Sequence, residues 1–120
     1  MIIILPFPDA RLNPNRSNGN HWASTAKLRK AARIEAFTIT VNKVRKFELS
    51  FSKDSGSVPL KITFIQPDKR QRDRDNLLAA FKPHLDGIAD GLGINDAQFE
   101  PVTICREYGN KPGGVKVEIG

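Results

Sequence analysis

A chain of 120 residues has room for one hydrophobic core, and 39% apolar with 27% charged residues is the balance of a folded globular domain. Its net charge of +6 is lopsided: fifteen basic and seven acidic residues up to Asn76 give +8, and four against six from Leu77 onward give −2. The first part of the chain therefore reads either as a basic surface that binds nucleic acid, the favoured reading, or as a well-solvated face that attracts nothing in particular. Cys105, with no second cysteine, excludes an internal disulfide and suits a reducing compartment.

Ile2 to Leu5 is a β-branched run with no polar partner, which predicts a strand covered on both faces. It stops at Pro6, far short of a membrane span or signal-peptide core, and no other run reaches spanning length. The expectation is a cytoplasmic protein. The segment from Asp9 to Ala23 is irregular and holds Arg11, Arg16, His21 and Trp22. It reads equally as a basic loop that contacts phosphate and stacks on a base, or as a loose loop with Trp22 folded onto the core.

Ser24 is a candidate N-cap for a helix running to about Val44, with Ile34, Phe37, Val41 and Val44 on one side and Arg29, Lys43 and Lys46 away from it. The β-branched run Thr38 to Val41 argues against its end. Phe47, Leu49 and Phe51 alternate with polar residues as a half-buried strand or an extended lead-in. Asp54 to Ser57 is a turn, and Leu60, Ile62 and Phe64 predict a strand.

Leu77, Leu78, Phe81, Leu85, Ile88 and Leu92 then give the clearest periodicity in the chain, a core-facing helix ending in Gly91-Leu92-Gly93. Pro83 lies nearly opposite the apolar arc, where it either kinks the helix or breaks it. Val102 to Tyr108 predicts a strand, Gly109 to Gly114 a loop, and Val115, Val117 and Ile119 a last strand closing a terminal hairpin. The whole is one α+β domain over residues 1–120, a mixed sheet of about four strands with two principal helices.

Between the Leu60 strand and the Leu77 helix stands Lys69-Arg70-Gln71-Arg72-Asp73-Arg74-Asp75-Asn76. Folding does not call for so much opposed charge in so few residues. Carboxylates supply the hard oxygens that Mg²⁺ prefers, and guanidinium groups match phosphate. The bland alternative is that the aspartates only pair with the neighbouring arginines. On a helical wheel Asp75, Ala79, Lys82 and Asp86 share a stripe apart from the apolar arc, with Lys82 within about 20° of Asp75. Asp96 is a turn residue by itself, although the chain's return to the sheet can bring it near the Asp73/Asp75 corner. Asp86 and Asp90 read as solvated helix charges. His21 and His84 are too isolated to suggest zinc.

The run Arg72 to Leu77, followed by Asn95-Asp96-Ala97-Gln98, resembles the RusA family of Holliday junction resolvases. The opening strand with Pro6-Phe7-Pro8, the loop with Asn13 and Arg16, and the overall length extend the likeness over most of the chain. The resemblance implies a homodimeric endodeoxyribonuclease, often encoded by phages and prophages, that resolves four-way junctions in DNA recombination and repair by paired nicks leaving 5′-phosphates. It implies that Asp73, Asp75 and Asp96 bind Mg²⁺ and that a lysine assists. The family's lysine falls one turn after the second aspartate, where this chain has Ala79, so Lys82, one turn later, is the substitute. Asn76 matches the family's asparagine.

Arg16, Arg29, Lys69, Arg70, Arg72, Arg74 and Asn76 are the expected DNA contacts, and binding is expected to weaken with salt. Three rivals stand beside this reading: a non-catalytic basic DNA-binding module, a more general Mg²⁺ nuclease, and a phage structural protein.

Overall fold

A computed structural model describes residues 1–14 and 25–120. In chain order it has β1 (Ile2–Leu5), a short 3₁₀ turn (Ala10–Leu12), α1 (Ala26–Lys46), β2 (Val58–Gln66), α2 (Arg74–Leu92), a second 3₁₀ turn (Asp96–Gln98), β3 (Phe99–Tyr108) and β4 (Gly114–Ile119). This is the mixed four-stranded sheet with two principal helices that the sequence predicts. The strand order is β1-β4-β2-β3, with β2 and β3 parallel and β4 antiparallel to both of its neighbours.

The helices cover one face of the sheet. Ile3, Val117 and Ile62 form one cross-strand row and Leu5, Val115 and Phe64 the next. All six are buried, and they pack with Leu77, Phe81, Leu85, Ile88 and Leu92 of α2. Phe64 and Phe81 meet edge to face, with ring centroids 5.6 Å apart. Burying side chains of this size contributes roughly 1.5–3 kcal/mol each, which is why β2 and α2 anchor the domain.

Three strand expectations are corrected. β1 is not covered on both faces: Ile3 and Leu5 are buried while Ile2 and Ile4 are 50% and 59% exposed. β3 and β4 form no hairpin, because β4 runs between β1 and β2. Burial explains the choice, since β4 presents apolar side chains that need strands on both sides, whereas β3 is largely exposed and sits at the edge. The connection crosses the end of β2, where the Gly109 amide donates to the Gln66 carbonyl at 2.8 Å. Gly113 (φ 75°) passes so close that a Cβ there would lie 2.7 Å from the Ile65 carbonyl oxygen. The Phe47–Phe51 segment is no strand; it is a turn and loop after α1.

α2 continues through Pro83 without a break and ends on Gly93, whose left-handed φ of 74° suits glycine. α1 runs through its β-branched stretch to Lys46, held by tertiary packing where propensity is weak. Its first residue follows Thr25; Ser24, expected as the cap, lies outside the described residues. The packed face of α1 is also not the expected one. Ala32, Ala36 and Thr40 are buried, while Ile34 and Phe37 are 53% and 42% exposed. Close backbone approach decides this: a Cβ on Gly87 would sit 2.2 Å from the Arg33 carbonyl oxygen, and one on Gly91 2.7 Å from the Thr40 Cβ. Only small residues fit such a crossing, so Ile34 and Phe37 turn outward, while Ile39 and Val44 of α1 pack partly buried against the core.

Candidate functional site

β2 delivers the chain at its carboxyl end to the charged stretch, and α2 starts from the same corner. Asp68 organises this connection. Its carboxylate accepts from the Arg70 amide at 2.9 Å and takes both ends of the Arg72 guanidinium, at 2.9 and 3.3 Å. The Arg72 hydrogen bonds, more than its charge, hold the Asp68 carboxyl below its ordinary pKa. Arg72 also lies over the Phe7 ring, 5.3 Å from its centroid. The opening Pro6-Phe7-Pro8 stretch is thereby tied to the corner. Arg72 is thus largely occupied in shaping the connection.

Asp73 is the N-cap of α2: its Oδ1 accepts from the Asp75 amide at 2.8 Å, and Asp75 follows in the first turn. Both are exposed. The carboxylate pair therefore opens outward at the positive end of the helix dipole. Asp73 and Asn76 line a cleft of about 310 Å³ that runs to Phe7 and Asn13. On the other side, Asp73 and Arg74 border a cleft of about 550 Å³ with Arg106. Lys69, Arg70 and Arg74 are exposed and form no ion pair among the described residues.

Arg106 is a basic residue of the corner that sequence reasoning missed. It projects from β3, opposite Phe64 of β2, and donates from Nη1 to the Arg72 carbonyl at 2.6 Å. Its signal was present in the alternation Val102, Ile104, Arg106, where a charge follows two apolar residues on one strand face. Such a charge is tolerated because β3 is an edge strand with an open flank.

Lys82 and Asp96 come together. The Lys82 ammonium donates to Asp86 at 2.7 Å and also to Asp96. Partial burial disfavours its charge, yet the two carboxylates outweigh that and raise its pKa; the Lys82 hydrogen bond in turn lowers that of Asp96. Asp96 reaches this position because the return loop is pinned. Gln98 accepts from the Asn95 amide at 3.0 Å, and its own amide donates to the Ser52 and Gly56 carbonyls at 3.2 and 2.9 Å. Asp86 is thus an ion-pair partner and not merely a solvated charge, and Asp90 likewise holds Arg33 of α1 at 2.7 and 3.1 Å.

The three aspartates do not form one group. Asp96 meets α2 through Lys82, and positions 75 and 82 on a helix are roughly 10 Å apart along the axis. Among the described residues, no three His, Cys, Asp or Glu side chains stand together so as to hold a metal ion. The donor oxygens suit Mg²⁺, but their arrangement here does not fit a single ion.

Of the other expected contacts, Arg29 donates to Thr25 Oγ1 at 2.7 Å. It borders a groove of about 590 Å³ between α1 and α2 that also includes Lys30, Arg33 and Lys82. Arg16, His21 and Trp22 lie outside the described residues. Among the described residues no helix is long and apolar enough to cross a membrane.

No family model matches this chain. It is 35% identical over 117 residues to an uncharacterized protein of Xylella fastidiosa (strain Temecula1), an alignment that takes in 98% of this chain and 74% of that protein. At that identity and coverage this chain belongs to the same family as the Xylella fastidiosa protein.

Proposed function

We propose that this protein is a Mg²⁺-dependent, structure-specific endodeoxyribonuclease that resolves four-way DNA junctions by paired symmetric nicks leaving 5′-phosphates, acting as a cytoplasmic homodimer in recombination and repair. The observation that carries the reading is the exposed Asp73/Asp75 pair at the start of α2, facing out among Arg70, Arg74 and Arg106. In parallel β-α-β units, ligands bind outside the carboxyl ends of the strands, which is where this corner lies. Guanidinium groups there would hold the DNA phosphates on either side of the carboxylates. The reading assigns Asp73, Asp75 and Asp96 to the metal and Lys82 to the developing charge. Since the three carboxylates do not meet in the arrangement described, no step is drawn through the ion. A twofold dimer would offer two such corners to a substrate of matching symmetry.

A second reading, a non-catalytic DNA-binding module, is favoured by one observation: Asp96 is already satisfied by Lys82, away from the other two aspartates. A labelled mobile four-way junction, incubated with Mg²⁺ or with EDTA, separates the two. The expected result is paired nicks in opposing strands with Mg²⁺ only, lost in Asp73→Asn while junction binding persists. Asparagine is an equally good N-cap, so this variant keeps α2 intact. Binding without nicking in wild type under both conditions would leave the second reading, and absence of binding would remove both.

A further inference from the structure

Gln71, Arg72 and Asp73 form a ridge with an open cleft on each flank. The cleft on the Arg74 and Arg106 flank is lined by polar and charged side chains only. The other cleft differs in kind. The buried Leu77 and Ala80 form its floor, and the half-buried Phe7 ring forms one wall. Arg72, fixed by Asp68, lies across a face of that ring, so the wall is set before any ligand arrives. Three primary amides, on Asn13, Gln71 and Asn76, border the same space. Among the described residues the exposed Gln71 amide makes no hydrogen bond. The volume of about 310 Å³ is at the small end of the range for ligand sites, roughly 300–1,000 Å³.

We propose that this cleft receives one unstacked DNA base, from a nucleotide whose phosphate lies on the Arg74 and Arg106 side of the ridge. The inference rests on the nuclease reading for the phosphate and adds a place for the base. Apolar and aromatic walls match the faces of a base. A side-chain amide presents the adjacent donor and acceptor that a base edge pairs with. A bare anion calls for neither feature. The two clefts meet across Asp73, so a ligand that fills both carries an anion and a planar group on one short linker. A nucleotide is such a ligand. In a four-way junction the branch point supplies it, because a base at a disrupted position costs least to take out of its stack.

Fluorescence anisotropy with a labelled four-way junction in EDTA reads this without nicking. One junction is intact; in a second, the branch-point nucleotides are abasic and every phosphate is kept. Wild type is expected to bind the intact junction about 10-fold more tightly, in the range for one stacked base. Ala10→Phe puts a ring into the cleft from its exposed rim and should bring that ratio close to one. Gln71→Ala removes an amide without breaking an internal bond and should lower the ratio severalfold. It carries the test if Ala10→Phe fails to fold by far-UV circular dichroism. Equal wild-type affinity for the two junctions overturns the proposal and makes the cleft an anion site only. A ratio unchanged in a folded variant overturns it too. Either result leaves the nuclease reading to its own assay, whereas base-dependent binding by a protein that does not nick keeps this cleft and removes the nuclease. Failure to bind either junction removes both.

Discussion

His84 makes the domain's stability depend on pH in a window where few other groups titrate. Its ring is 4% exposed, stacks on Phe81 with centroids 5.1 Å apart, and has no hydrogen-bond partner at Nδ1. Glu35 approaches Nε2 only to 3.9 Å. Burial therefore pushes the imidazole down to about 4, from an ordinary value near 6.5. The folded protein resists a proton that the unfolded chain accepts, so stability is present above about pH 6.5 and is lost as pH falls toward 4. At about 1.36 kcal/mol per pKa unit, the full loss is roughly 3 kcal/mol, of which about 2 kcal/mol has gone by pH 5. Urea unfolding at pH 7.5 and pH 5, in wild type and in His84→Leu, isolates this contribution. Leucine is close in volume and carries no titrating group, so wild type should lose about 2 kcal/mol relative to His84→Leu between pH 7.5 and pH 5. Equal pH dependence in both would refute the argument.

The α1–α2 crossing is equally exposed to test. Gly87→Ala should destabilise the fold by about 3 kcal/mol or more, since backbone must move to admit the new methyl group; an unchanged urea midpoint would count against the described approach. Arg106→Ala should weaken junction binding uniformly across sequences and reduce the slope of log affinity against log salt by about 1, as loss of one phosphate contact does. A salt titration with an unaltered slope would take Arg106 off the DNA path.

Where local pattern and burial agree, the chain was readable in advance. Leu60, Ile62 and Phe64 alternate because β2 has a helical layer on one side only, and the Leu77–Leu92 periodicity survives because one face of α2 meets the whole sheet. α1 misled for a physical reason: an apolar stripe marks the face that wants burial, while the face that packs is chosen by glycines of another helix. The β3–β4 pairing misled because adjacency in sequence favours a hairpin, whereas the burial of Val115 and Val117 demands a central strand. Asp73 and Asp75 stood out by composition. The position of Asp96 did not, because it depends on Gln98 reaching the Ser52 and Gly56 carbonyls, contacts made across a long stretch of chain.

The placement of β4 has a consequence for how the sheet is built. β2, α2 and β3 follow one another and can assemble as a unit from near neighbours. Among the described residues β1 shares no edge with that unit, and its one neighbour in the sheet is β4. The earliest strand must therefore wait for the latest, and closing so wide a loop before any pairing is gained slows folding. Until β4 slides into its slot, the free margin of β2 is bare, and that margin is where a stray chain would find purchase.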